Sequence, residues 1–396
     1  MPCRYAYEPG STMKIFSWLA SLENGLYNGD DKFRSGSITL SDGKTKIKDF
    51  NTVGWGDITY DTGFAYSSNV AATNLGLKLG AAKLSDFYDT LGFGYKTGIT
   101  LPAESEGLID FTYESELANA SFGQGILVTP IQLLQAMTIF ANDGVIVKPY
   151  IVDKIVDENK NTVYEAKKTE VGKVASTESI NKMKQLMYNV VYNGFDYNKG
   201  YAPSNVTLIG KTGTAQIASS TGGYQTGTYD YIKSFLGLFP YEDPEYVVYF
   251  VAKKSTASST KITSTISNAV KDIANILSVT NEQNDVDHQK IVTVTQYLSK
   301  ETSVVQEEIK KLGLNPITLG NGKYIINQYP LANTKTITGS KVFLLTNDKT
   351  YTMPDVTGWS TNEIIRFCEL INLPYKLTGY GKVKQTNIPV NTVIDV

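Results

Sequence analysis

Helix-period and strand-like segments mix along the first 280 residues of the chain. Ile15, Phe16, Leu19 and Leu22 recur at helical spacing directly after a Gly10-Ser11 turn signal, which predicts a helix with one apolar face. The same periodicity predicts helices over 64–80 and 130–141. Three strand-like runs follow, at 206–209, 232–239 and 246–252. The last is almost uninterrupted β-branched or aromatic, the composition of a strand buried on both faces. Ile262, Ile266, Val270, Ile273 and Leu277 then mark one face of a further helix. Consecutive strands closed by a covering helix predict an α+β core, an antiparallel sheet packed between helices.

Residues 281–290 are polar and charged and predict a linker. Beyond it the chain repeats itself. Gly320-Asn321-Gly322-Lys323 with Pro330 is matched 59 residues later by Gly379-Tyr380-Gly381-Lys382 with Pro389, and Leu314 and Leu373 keep the same offset. Each copy opens on a helical pattern, 304–312 and 361–371, and continues as short strands. Self-similarity at a fixed offset means two copies of one small module. The expected organisation is a core domain at 1–280, a linker at 281–290 and small α/β modules at 291–349 and 350–396.

A length of 396 residues exceeds one ordinary core and suits two or three domains. With 41% hydrophobic and 19% charged residues the chain is globular, and a formal net charge of −2 without a basic, aromatic-interleaved run gives no reason to expect nucleic acid as a partner. Cys3 and Cys368 lie far apart and form no CxxC pair, so they read as ordinary thiols. The single histidine, His288, falls in the polar linker. A zinc site would need mainly carboxylates, and a Ser-His-Asp triad would need a histidine in the core; both readings weaken. If the chain performs acyl transfer, its base is not histidine. No apolar run reaches transmembrane length and no signal-peptide pattern is present.

Three short motifs carry chemistry. Ser11-Thr12-Met13-Lys14 is an S-x-x-K introduced by Glu8-Pro9-Gly10. Residues three apart on a helix share a face, so the Lys14 amine comes within reach of the Ser11 hydroxyl. A lysine can take the hydroxyl proton if burial or nearby cations lower its pKa, and a helix N-terminus favours the negative charge that develops. Alone, the motif also fits an N-cap serine with a surface lysine. Ser67-Ser68-Asn69, after Tyr66, supplies a hydroxyl for proton relay and an amide for a substrate carbonyl; singly it too reads as a polar helix cap. Lys211-Thr212-Gly213-Thr214 lies in the strand-like stretch 207–217. A strand edge can pair with an extended peptide, Gly213 would let that backbone come close, and Lys211 with the two threonines can hold a carboxylate. A P-loop would need a glycine where Asn205 stands.

S-x-x-K, S-x-N and K-T-G in this order are the signature of penicillin-binding proteins and related serine β-lactamases. The segment Tyr7-Glu8-Pro9-Gly10-Ser11-Thr12-Met13-Lys14 resembles the active-site segment of class B penicillin-binding proteins. Ser121-Phe122-Gly123-Gln124-Gly125, Thr129-Pro130, Ala141-Asn142-Asp143-Gly144 and Lys211-Thr212-Gly213-Thr214-Ala215-Gln216 resemble that class as well, and the duplicated modules resemble PASTA domains. The resemblance covers nearly the whole chain and implies a serine D,D-transpeptidase of cell-wall synthesis that β-lactams acylate. It implies Ser11 as nucleophile, Lys14 as its base, Ser67 as proton relay to the leaving D-alanine and Asn69 as ligand of the donor amide. Lys211, Thr212, Gly213, Thr214 and Gln216 would bind substrate, the two threonines and the lysine at its carboxylate, and the N–H groups of Ser11 and Thr214 would form the oxyanion hole. No metal or organic cofactor is implied. The implied partners are peptidoglycan stem peptides, β-lactams and a division-associated glycosyltransferase.

Two competing readings follow from the same residues. One is a hydrolase of the same type, a β-lactamase or D,D-carboxypeptidase, in which water resolves the acyl-enzyme. The other is a non-catalytic, PASTA-type wall-binding protein. The family's penicillin-binding domain begins upstream of its nucleophile, after a membrane anchor and a pedestal, whereas Ser11 stands ten residues after Met1, and the second module stops at Val396, short of a last strand. The resemblance therefore implies a fragment with an unpaired sheet edge, of an enzyme anchored at the outer face of the plasma membrane.

Overall fold

The helix expected after Gly10-Ser11 forms in two pieces, a 3-10 turn at Gly10–Met13 that runs directly into α1 (Lys14–Glu23). From Lys14 to Ser21 every residue of α1 is buried, so it is the central helix of its unit and not a one-faced surface helix. The computed structural model describes residues 2–159, 161–219, 221–277, 279, 291–348, 350–378 and 383–394, and the chain divides into two units, Met1–Lys271 and Asp272–Val396. The expected linker, with His288, and the repeated Gly379-Tyr380-Gly381-Lys382 lie outside the described residues.

The helix expected over 64–80 is two helices, α2 (Tyr60–Ala65) and α3 (Asn69–Leu79). They part at Ser67, whose φ of +57° is a left-handed conformation that a side chain with a Cβ rarely adopts. Ser68 caps α3 by accepting the Ala71 N–H. Further helices are α4 (Ala81–Thr90), α5 (Glu114–Ala120), α6 (Pro130–Met137) and α7 (Thr177–Tyr192). Thr129 and Gln132 form a capping box around Pro130 at the start of α6, which then passes into a 3-10 turn at Thr138–Phe140. Short antiparallel pairs decorate this helical body: β1 (Lys32–Arg34) with β4 (Asp57–Thr59), and β2 (Ser37–Thr39) with β3 (Lys46–Lys48). Later come β5 (Val145–Val147) with β8 (Glu170–Lys173), and β6 (Lys154–Val156) with β7 (Thr162–Glu165).

The sheet is antiparallel, in the order β11 (Tyr246–Lys253), β10 (Tyr231–Phe239), β9 (Ile209–Gln216). The strand buried on both faces is β10, not the β-branched β11. Leu236 and Leu238 of β10 enter the main core with α1, while Phe235 on the other face stacks on Tyr201 at 4.5 Å. β11 pairs with β10 alone among the described strands, and its residues stay partly exposed. Residues 206–208 precede the strand and do not join it. α8 (Ser259–Leu277) follows, with Ile262, Ile266 and Val270 buried, and Ser267 Oγ donates to the Ala202 carbonyl. The fold of this unit is α+β as expected. No helix among the described residues is long and apolar enough to cross a membrane.

In the second unit β12 (Ile291–Thr293) pairs with β15 (Lys335–Ile337), and β16 (Lys341–Thr346) lies between β13 (Asn315–Leu319) and β14 (Ile325–Tyr329). α9 (Thr302–Lys311) and α10 (Thr361–Leu370) begin and end 59 residues apart, the offset of the sequence repeat. The residues that turn the chain after each helix, Gly313 and Asn372, keep that offset and both have positive φ. β17 (Tyr351–Thr352) pairs with β18 (Val393–Ile394). Leu319, Phe343 and Leu345 pack into one cluster with Trp359 and Phe367, so the segments on either side of residue 350 share apolar surface.

Candidate active site

The cleft is set by three segments that meet at the 3-10 turn of Gly10–Met13. Gly123 (φ +84°) approaches so closely that a Cβ there would lie 2.2 Å from the Gly10 carbonyl oxygen, and the Gly10 N–H donates to the Gly123 carbonyl at 2.9 Å. Only glycine satisfies both the dihedral and the distance. Ser17 Oγ donates to the Ser121 carbonyl at 2.6 Å, which pins α1 to the same segment. On the other side β9 presses against the turn. A Cβ on Gly213 would meet Thr12 Cγ2 at 3.0 Å and Ser234 Oγ at 2.3 Å. A side chain on Gly213 would thus collide first with Ser234 of β10 and then with Thr12 of the 3-10 turn, and Gly213 is buried between them.

Ser11, Ser67, Asn69, Thr212, Thr214 and Gln216 all line one cleft of about 430 Å³. Lys14 and Lys211 are fully buried beneath it. Lys14 Nζ stands 3.0 Å from Ser11 Oγ, 2.6 Å from the Ser67 carbonyl oxygen and 2.8 Å from Asn69 Oδ1. A neutral amine has two N–H bonds and one lone pair. With the N–H bonds directed at the Ser67 carbonyl and Asn69 Oδ1, the lone pair faces the Ser11 hydroxyl proton. Burial pushes the Lys14 pKa well below its usual 10.5, the charge of Lys211 pushes it further, and Asp49 acts in the opposite sense. Lys211 Nζ donates to Ser67 Oγ at 2.8 Å and to the Thr212 carbonyl at 3.2 Å, and burial lowers its pKa to about 7. Lys211 is thus directed at Ser67, while Thr212 and Thr214 line the cleft. The strained Ser67 backbone is what brings its hydroxyl to both lysines, with Lys14 Nζ 3.3 Å from Ser67 Oγ.

The motifs did not disclose Asp49. It is buried, and its carboxylate accepts Ser68 Oγ at 2.8 Å, the Val70 N–H at 3.1 Å and the Gly36 N–H at 2.8 Å. These bonds hold the start of α3 against the preceding loop, and Asn69 Nδ2 adds a bond to the Lys48 carbonyl at 3.0 Å. Glu8, within the quoted motif but without an assigned role, clamps the turn from outside. Its Oε1 accepts the Gly125 N–H at 3.1 Å and the Tyr224 hydroxyl at 3.3 Å, and burial raises its pKa. Among the described residues no group of three His, Cys, Asp or Glu side chains is placed to hold a metal ion.

A serine and a lysine on one helical turn meet a second serine and a second lysine across the cleft, a set of residue types that serine acyl transfer with an amine base can use. Residues 1–274 match the penicillin binding protein transpeptidase domain family and residues 292–348 match the PASTA domain family. The chain belongs to the penicillin-binding protein transpeptidase family, among class B relatives. It is 31% identical over 361 residues to stage V sporulation protein D of Bacillus subtilis, covering 86% of this chain and 54% of that protein. It is 30% identical over 281 residues to penicillin-binding protein 2B of Streptococcus pneumoniae, covering 63% of this chain and 40% of that one. The chain thus spans about half or less of the length of these relatives. Penicillin binding protein 2X from Streptococcus thermophilus superposes with a TM-score of 0.64 at 26% identity, over 98% of this chain and 60% of that structure. Penicillin binding protein 3 from Mycobacterium tuberculosis, solved with ampicillin, also gives 0.64 at 26% identity, over 72% of this chain and 66% of that structure.

Proposed function

We propose that this chain carries the catalytic centre of a peptidoglycan D,D-transpeptidase that passes through a Ser11 acyl-enzyme and is acylated by β-lactams. The observation that carries the reading is the buried Lys14 amine, 3.0 Å from Ser11 Oγ, with the Ser67 carbonyl and Asn69 Oδ1 beside it to accept its N–H bonds. Neutral Lys14 takes the Ser11 proton as Ser11 Oγ attacks the carbonyl between two D-alanines. The N–H groups of Ser11 and Thr214 receive the oxyanion. The C–N bond breaks, and the leaving amine takes a proton from Ser67 Oγ, which Lys14 and Lys211 resupply. Thr212, Thr214 and Gln216 line the side of the cleft where the leaving residue's carboxylate, or that of a β-lactam, would lie, with Asn69 at the donor amide. An amine of a second stem peptide then resolves the ester.

Among the described residues lining the cleft there is no carboxylate such as class A β-lactamases use to activate water, which counts against that rival. Residues 350–396 are read as a second PASTA module, supported by the 59-residue offset that α9 and α10 keep. The place of action is the outer face of the plasma membrane, held by a segment outside this chain, with a division-associated glycosyltransferase as partner. A fluorescent penicillin tests the reading. Covalent label that persists for hours supports the transpeptidase, whereas label that appears and is lost within minutes makes the protein a β-lactamase.

A further inference from the structure

Glu8 takes part in no step derived above, and it joins the two walls of the cleft that carry glutamines. Gln124 on one wall and Gln216 on the other both line the cleft, and Gln124 Nε2 faces Gln216 Oε1 at 3.5 Å. Gln124 stands between two glycines of positive φ, and both are bonded to the segment before the nucleophile. The Gly123 carbonyl accepts the Gly10 N–H at 2.9 Å, and the Gly125 N–H donates to Glu8 Oε1 at 3.1 Å. Gln216 ends β9, after which the chain turns back on itself. The Gln225 N–H donates to the Ile217 carbonyl at 2.8 Å, and Ala218 and Tyr224 form an antiparallel bridge. From this turn the Tyr224 hydroxyl reaches the same Glu8 Oε1 at 3.3 Å. One carboxylate oxygen thus receives a donor from each wall.

Burial and the Glu8 carboxylate raise the Tyr224 pKa, so the phenol keeps the proton that it donates. Glu8 Oε2 is buried and has no partner among the described residues, so the side chain bonds through Oε1 alone. A buried, unpaired oxygen is destabilising, and stability alone does not account for a glutamate at this place. Each carboxamide carries two N–H bonds, and the contact between Gln124 and Gln216 uses one of the four. The pair therefore has N–H bonds to offer on the side of the cleft where the leaving residue's carboxylate would lie. We propose that Glu8 is a positioning residue that fixes the separation of Gln124 and Gln216, and with it the hold of that end of the cleft on the acyl donor. This deepens the transpeptidase reading and rests on it. Glu8 is not among the residues lining the cleft, and the Gly10–Gly123 bond holds the nucleophile turn without it. Its loss accordingly weakens donor binding and spares the bond-making step.

The test separates binding from chemistry. Acylation by benzylpenicillin is followed by stopped flow over a range of concentrations for the parent, Glu8→Ala, Glu8→Gln and Tyr224→Phe. The half-saturating concentration reports the hold on the donor, and the limiting rate reports bond formation. Glu8→Ala raises the half-saturating concentration about tenfold, as loss of one hydrogen bond to the donor would, and keeps the limiting rate near that of the parent. Tyr224→Phe frees one wall only and raises it about threefold. Glu8→Gln stays near the parent, because its carboxamide oxygen accepts both bonds. Rates are taken only from molecules that become labelled, so misfolded protein does not enter the comparison. Half-saturation unchanged in Glu8→Ala or in Tyr224→Phe, a fall confined to the limiting rate, or a Glu8→Gln as weak as Glu8→Ala overturns the proposal. Absence of covalent label on the parent is a different result, which overturns the acyl-transfer reading itself and this role of Glu8 with it.

Discussion

Replacing Lys14 with methionine is expected to lower the second-order rate of acylation by penicillin about 10³-fold, within the range set by loss of a general base. Methionine keeps the length of the stem and removes the amine that stands 3.0 Å from Ser11 Oγ. The pH profile separates this from a packing effect. Burial and the charge of Lys211 both depress the Lys14 pKa, so neutral Lys14 forms well below the usual lysine range. The parent rate therefore rises with pH as Lys14 deprotonates. In Lys14→Met the rising limb is absent. The same groups act on stability. Both folded-state values lie below the ordinary 10.5, so the unfolded chain binds more protons in that interval. Stability contributed by Lys211 thus rises with pH from about 7 to 10.5 and is flat below about 7. Stopped-flow acylation from pH 5 to 9 measures the first effect; a rising limb retained in Lys14→Met would show that another group is the base.

Asp49→Ala is the second large effect. It strands three donors, the Gly36 N–H, the Val70 N–H and Ser68 Oγ, at about 1 kcal/mol or more each, roughly 3 kcal/mol in total. For a unit of this size that corresponds to a fall in Tm of roughly 6–12 °C. Acylation falls as well, by roughly 10–100-fold, because the start of α3 carries Asn69 and the strained Ser67. Asp49→Asn is the informative companion. Its Oδ1 keeps the bonds from Ser68 and Val70, so much of the stability returns, while the charge that raised the Lys14 pKa is gone. Its acid limb moves to lower pH. Thermal melts and the acylation profile of both variants check this, and an unmoved acid limb in Asp49→Asn would remove Asp49 from the electrostatics of the base.

The sequence disclosed those parts of the site whose partners are close along the chain or fixed by composition. Ser11 and Lys14 are one helical turn apart, and their contact follows from helix geometry. The 59-residue repeat was legible because glycines and prolines mark turns at fixed places, and the offset reappears in α9 and α10. Asp49 was not legible, since its partners lie 13 to 21 residues away in irregular backbone. The break at Ser67 was hidden too. Residues 64–69 hold no proline or glycine, so local propensity continues a helix that tertiary contacts with Lys14 and Lys211 interrupt. The burial of β10 and β11 was exchanged because β-branched composition identifies a strand but not its neighbours. The contacts that leave no room for a Cβ at Gly213, Ser234 on the neighbouring strand and Thr12 on the turn, arise only from the folded sheet and were not legible either.

The most direct measurement of the central claim is the position of the covalent label. The protein is acylated with penicillin, digested, and the adduct located by tandem mass spectrometry, beside a Ser11→Ala control. One penicilloyl group on Ser11, and none anywhere on the control, is the predicted result. An adduct on Ser67 or any other residue of the folded protein, or labelling of Ser11→Ala equal to the parent, would contradict the assignment of Ser11 as the nucleophile.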